Sequence, residues 1–170
     1  MCGPQFVAAW KHLYTLAKSH GYNRLIFTWT VTSYGFNSQT NVRNNYFWVG
    51  TAYTDWIGVD AYNGSCNGSW YGTFSQLMEL SINWLKVHAP NKLIILPEYG
   101  VTEGATSTDK ANWFKAIPSA LTQPGYTNIR ALVYWNETTN CNFKINTSTA
   151  SYSAYKAVGL NSVMQAAAPS

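Results

Sequence analysis

Four short apolar runs, each separated from the next by an amphipathic stretch, constrain this chain more than any other feature. They are Arg24 to Thr30, Asp55 to Tyr62, Lys92 to Gly100 and Ile129 to Trp135. Runs of that length, rich in Ile, Leu, Val and aromatic residues and lacking polar alternation, read as strands buried on both faces. Between them, helical spacing recurs. Phe6, Ala9, Trp10, Leu13, Leu16 and Ala17 line one face of a helix over 6–20 that Gly21 closes. A second helix runs from Phe74 to Leu85 and stops before Pro90, a third from Lys110 to Leu121 with Asp109 as its cap, and a fourth from about Ala150 to Gln165. Crossover helices covering a parallel sheet produce this alternation. The residues between the first two strands, with Gly35, Asn37, Asn41, Asn44 and Asn45, read as a polar loop, and Asn63 to Gly72 as another.

Four βα units preceded by a lone helix amount to half of a (β/α)8 TIM barrel, which takes about 250 residues when whole. The 170 residues are accordingly expected to form one partial domain, the C-terminal half of such a barrel, with parallel strands and flanking helices. A small doubly wound sheet is the competing architecture, but no Gly-rich phosphate loop follows any of the four strands.

In parallel α/β architectures chemistry collects where strands end. Trp29 closes the first strand, Asp60 and Tyr62 the second, Glu98 the third, and Trp135 the fourth, with Glu137 just beyond. Strict alternation places Glu98 with Leu96 and Ile94, Tyr62 with Asp60 and Gly58, and Trp135 with Val133 and Ala131. A carboxylate at the end of an apolar strand is costly unless it is hydrogen-bonded or meets solvent, so Glu98 is either a tethered structural acid or a working one. Trp29 and Trp135 are either core or flat platforms for a ligand.

Composition narrows the ligand. Aromatic residues make up 16% of the chain and charged residues 11%, and the net charge of +4 comes from scattered Lys and Arg. No basic run tracks a phosphate backbone, so nucleic acid is a poor partner, and no apolar window approaches a membrane span. Three cysteines (Cys2, Cys66, Cys141) and three histidines lack metal-ligand spacing, so neither a metal nor a cofactor is implied. Low charge and four Asn-x-Ser/Thr sequons, at Asn63, Asn67, Asn136 and Asn146, suit a secreted parent protein. The opening Met-Cys-Gly-Pro-Gln carries no signal peptide, which suggests that the front of the protein is missing.

Five ordered blocks then give a resemblance. Phe6-Val-Ala-Ala-Trp-Lys-His-Leu, Trp29-Thr-Val-Thr, Tyr53-Thr-Asp-Trp-Ile-Gly-Val-Asp-Ala-Tyr-Asn, Leu96-Pro-Glu-Tyr-Gly-Val and Ile129-Arg-Ala-Leu-Val-Tyr-Trp-Asn together resemble glycoside hydrolase family 26, best known for β-mannanases. The resemblance implies a retaining hydrolase of β-linked polysaccharide, β-mannan first, with Glu98 as nucleophile on barrel strand seven. It implies Tyr62 on strand six as the hydrogen-bond partner of Glu98 and Trp135 on strand eight as a sugar platform, while Trp29 and Asp60 are assigned to substrate binding. Cys66 and Cys141 then follow strands six and eight on the catalytic face, where a disulfide between them is expected in an oxidising compartment, with Cys2 the orphan.

The chain departs from the family pattern at Thr32, where Asn is common, and at Trp48-Val-Gly-Thr, where an aromatic-Pro-Gly-Asp segment is frequent. The larger departure is at the front. The family's acid/base Glu ends strand four, just upstream of the first helix, and nothing between Met1 and Gln5 is acidic. Two other readings stay open: a non-catalytic sugar-binding module using Trp29, Trp70 and Trp135, and an unrelated βα enzyme using Asp60 and Glu98.

Overall fold

A computed structural model describes residues 2–36, 41–64, 71–106, 108–138 and 140–165. Four strands, β1 (Thr28–Thr32), β2 (Trp56–Asn63), β3 (Leu93–Val101) and β4 (Ile129–Tyr134), lie in the order β1-β2-β3-β4, and every neighbouring pair is parallel. The α-helices among the described residues are α1 (Gly3–Ser19), α2 (Asn41–Phe47), α3 (Phe74–His88), α4 (Asp109–Leu121) and α5 (Thr149–Gly159). Sequential parallel strands joined by crossover helices are half of a (β/α)8 barrel, as expected.

The core lies between sheet and helices. Ile57, Val59 and Ala61 of β2 and Ile94 and Leu96 of β3 are buried there with Met78, Ile82 and Leu85 of α3 and Phe114 and Ile117 of α4. The local signals explain the elements. Helix α1 ends in a Schellman motif, with the Tyr22 N–H donating to the Ala17 carbonyl and the Gly21 N–H to Lys18, and Gly21 takes the positive φ of 75° this closure needs. Thr73 caps α3 by accepting from the Gln76 N–H, and the Gln76 side chain returns the bond to the Thr73 N–H.

Four expectations require correction. The first strand starts at Thr28 rather than Arg24, leaving Leu25 and Ile26 exposed. Asp55 sets that start: its carboxylate accepts from the Phe27 N–H at 2.8 Å, while the Phe27 carbonyl accepts from the Asp55 and Trp56 N–H groups. The polar stretch after β1 holds a short 3-10 turn (Ser33–Phe36) and helix α2, whose 7 residues are too few to show a helical period. Asp109 is the first residue of α4 rather than its cap, and its carboxylate turns back to the Thr106 N–H and hydroxyl. The last helix ends at Gly159, six residues early.

Candidate active site

The sheet has a helix-covered face and an open face, and strand alternation sorts the candidates between them. On β2, Ile57, Val59, Ala61 and Asn63 are buried under the helices, so Gly58, Asp60 and Tyr62 point the other way. On β4, Tyr134 packs against Phe114 and Tyr155 of the helix layer, which turns half-exposed Val133 and Trp135 to the open face. The Trp135 N–H still donates to the Tyr99 carbonyl, so its position is fixed by the sheet.

Glu98 reaches the open face by a different route from the one expected. Ile94, Leu96 and Tyr99 are all buried under the helices, and two residues, Pro97 and Glu98, lie between Leu96 and Tyr99 where strict alternation has one. The ladder is irregular at this point, with register shifts between Leu96 and Tyr99 against β4 and between Gly58 and Ala61 against β2. The extra residue re-aims the side chain as a bulge does. Glu98 is therefore not grouped with Ile94 and Leu96; it faces Tyr62, whose hydroxyl donates to Glu98 Oε2 at 2.5 Å.

Electrostatics mark the same spot. Burial, and secondly the Glu98 charge, raise the Asp60 carboxyl from 3.8 to about 6. Its Oδ1 is buried and makes no hydrogen bond among the described residues. Burial and then the bond to Glu98 push the Tyr62 phenol well up, so it stays a donor across the physiological range. Among the described residues the one ion pair, Lys18 with Asp55, lies elsewhere. Two acids and a phenol thus share one face with no ion pair to a base among the described residues, and burial holds one acid's pKa up.

Trp29 is not part of this arrangement. It is 1% exposed, its ring lies 4.7 Å from that of Trp48 and 5.7 Å from that of Trp84 on α3, and its indole N–H donates to the Phe47 carbonyl. A side chain held in the helix layer offers no sugar platform, so the substrate-binding assignment of Trp29 gives way to a core role. The residues of β1 that face the open side are Thr30 and Thr32; a Cβ on Gly58 would strike the Thr30 side chain.

Phe143 is a site residue that sequence reasoning missed. Its ring lies 5.1 Å from that of Tyr62, and both rings crowd Gly100, where an added Cβ would come within 3.0 Å of Phe143 and 3.1 Å of Tyr62. A lone Phe in an Asn- and Thr-rich loop carries no periodic signal. Glu103 is bound to the Thr147 and Ser151 hydroxyls, and exposed Glu137 accepts from the Thr138 N–H, so each has local partners. A cavity of about 750 Å³ beside Tyr71, Glu103 and Asn142 has neither Glu98 nor Tyr62 in its lining. Cys141 is disulfide-bonded and Cys2 is free and exposed; Cys66 and Trp70 lie outside the described residues. Among the described residues no cluster of His, Cys, Asp and Glu could hold a metal, and no helix is long and apolar enough to cross a membrane.

No family model matches the chain. Endoglucanase H of Acetivibrio thermocellus is 24% identical over 161 residues, covering 92% of this chain and 17% of that protein. Among solved structures, the catalytic domain of the Bacillus sp. JAMB-750 GH26 endo-β-1,4-mannanase superposes with a TM-score of 0.61 at 16% identity, covering 92% of this chain and 44% of that one. The GH26 domain of an endo-β-mannanase/endo-β-glucanase from Prevotella bryantii gives 0.57 at 20% identity, covering 92% and 39%. The chain thus spans less than half of each protein it resembles. Four consecutive parallel βα units superposing on part of these catalytic domains make this chain half of a (β/α)8 barrel with the fold of glycoside hydrolase family 26.

Proposed function

We propose that the chain is the C-terminal half of a family 26-like catalytic domain that hydrolyses β-linked polysaccharide, β-mannan first, with retention of configuration. The observation that carries this reading is the Tyr62–Glu98 hydrogen bond on the open face of the half-barrel. Glu98 is the nucleophile: its carboxylate attacks the anomeric carbon, the bond to the leaving oxygen breaks, and water later releases the glycosyl ester. The Tyr62 hydroxyl holds one carboxylate oxygen and orients the other toward the sugar. Trp135 supplies an aromatic face beside it, and Asp60, largely protonated at mildly acid pH, offers a hydroxyl hydrogen to substrate.

Retaining hydrolysis places a second carboxyl group about 5 to 5.5 Å from the first, to protonate the leaving oxygen. In the family this acid lies on the strand that would pair with β1, and it has no counterpart here; losing general-acid assistance costs about 10² to 10⁴ in rate. The chain alone is therefore expected to turn over poorly. Its partners in this reading are a β-linked glycan and a complementary half-barrel, and the sequons and the Cys141 disulfide support an extracellular parent protein with Cys66 as the other half of the bridge. The non-catalytic module is weakened because Trp29 is buried.

The experiment is a reducing-sugar assay on β-mannan with the 170-residue chain and with the same chain joined to a family 26 N-terminal half-barrel bearing its Glu. Turnover in the joined protein only, abolished by Glu98→Ala, is expected. A joined, folded protein that binds mannan without cleaving it would favour the binding module.

A further inference from the structure

Among the described residues Lys110 is the one charged side chain that is buried. It is completely buried in the first turn of α4, where the helix dipole already disfavours a cation. Burial pulls its ammonium down to about 8, while nearby Glu103 acts in the opposite direction. Such an arrangement persists only if its hydrogen bonds achieve something.

Those bonds lead to the loop after β4. Lys110 Nζ donates to the Lys144 carbonyl at 2.6 Å. The preceding residue, Phe143, is gripped at both backbone groups: its N–H donates to the Glu137 carbonyl at 2.9 Å, and its carbonyl accepts from the Tyr134 hydroxyl at 2.6 Å. Glu103 Oε1 accepts from Thr147 and Ser151, tying down the far end of the loop, while Glu103 Oε2 is buried and has no hydrogen bond among the described residues. The Phe143 ring so placed lies against Tyr62 over Gly100.

We propose that Lys110 is a positioning residue, holding Tyr62 against Glu98 through the Lys144 carbonyl and the Phe143 ring. Tyr62 approaches Glu98 from β2 while Phe143 comes from beyond β4, so the loop closes the Tyr62 ring into one orientation. The inference rests on the proposed function only for the meaning of the Tyr62–Glu98 bond; the positioning itself has a readout that needs no turnover.

Tyrosine labelled with ¹³C at Cζ reports it by NMR on the 170-residue chain, the Tyr62 signal being identified by its loss in Tyr62→Phe. Lys110→Met and Phe143→Leu are each expected to displace the Tyr62 signal while that of Tyr14, on α1 and packed against Phe27 and Tyr53, stays in place. A folded Lys110→Met protein with an unmoved Tyr62 signal overturns the proposal, as does an unmoved signal in Phe143→Leu. Should Lys110→Met fail to fold, Glu103→Gln removes the opposing charge with little change of shape and is expected to displace the same signal; an unmoved Tyr62 there also overturns it. Failure of the mannan assay with the NMR displacement intact would count against the function and leave the positioning standing.

Discussion

Asp60→Asn should stabilise this protein at neutral pH and not in acid. In the folded state the Asp60 carboxyl titrates at about 6 rather than 3.8, because it is desolvated and faces Glu98. The folded state therefore binds more protons than the unfolded chain between those values, so this group's contribution is fully present below about pH 4 and lost as pH rises through 6. Taken at face value, that displacement corresponds to about 3 kcal/mol. Asp60 remains partly open to solvent, whose screening reduces the expected loss to about 1 to 1.5 kcal/mol. Urea unfolding at pH 4 and pH 7.5 should show the difference between Asp60→Asn and the native chain growing by that amount in favour of the variant. In the Glu98→Gln background the gain should shrink but persist, since burial is the larger cause. An unchanged difference between the two pH values would refute the reasoning.

Replacing Trp29 with Ala should cost about 3 to 5 kcal/mol of stability, as expected for a large buried aromatic, measured by urea midpoint; a near-neutral effect would return Trp29 to the list of exposed platforms. Tyr62→Phe removes a hydrogen bond to a charged group, worth about 1.5 to 3 kcal/mol, and should slow glycosylation of Glu98 at least tenfold in the joined protein, as followed by pre-steady-state release of an activated aryl leaving group. The outer edges of β1 and β4, unpaired among the described residues, together with Leu25 and Ile26 ahead of β1 and Val133 on β4, each more than half exposed, should make the isolated chain self-associate on size-exclusion chromatography; a monodisperse monomer contradicts this. Non-reducing peptide mapping should find Cys66 joined to Cys141 and Cys2 free to alkylate.

The fold was legible because its signal is redundant. Short runs rich in apolar residues recur four times, and amphipathic stretches with 3.6-residue spacing separate them, so parallel βα units follow even though β1 itself, Thr28–Thr32, is mostly threonine. Helix α2 was hidden because Asn41–Phe47, at 7 residues, completes too few turns to show a period. For the candidate site, the strand ends were legible and the facing of individual side chains was not. Alternation placed Asp60, Tyr62 and Trp135 on one face, but for Glu98 it gave the wrong companions, because strict alternation ignored Pro97, which cannot donate to the ladder and inside a central strand marks the irregularity that turns Glu98 to the open side. Trp29 was misplaced for a related reason: an aromatic residue ending a strand has one of two faces, and only the later partners Trp48 and Trp84 decide which. The Lys110–Lys144–Phe143 connection crosses 34 residues of sequence at its first step and leaves no local trace.

The most direct test of the central claim is to trap the nucleophile. A 2-deoxy-2-fluoro-β-mannoside with a dinitrophenolate leaving group needs no general acid, because the leaving group departs as a stable anion, and the fluorine slows release of the glycosyl ester. Incubated with the chain joined to the complementary half-barrel, digested and mapped by mass spectrometry, it should place one fluoromannosyl group on the peptide containing Glu98, at the Glu98 carboxylate, with none in Glu98→Ala. A label on Asp60, Glu103 or any other residue would contradict the account.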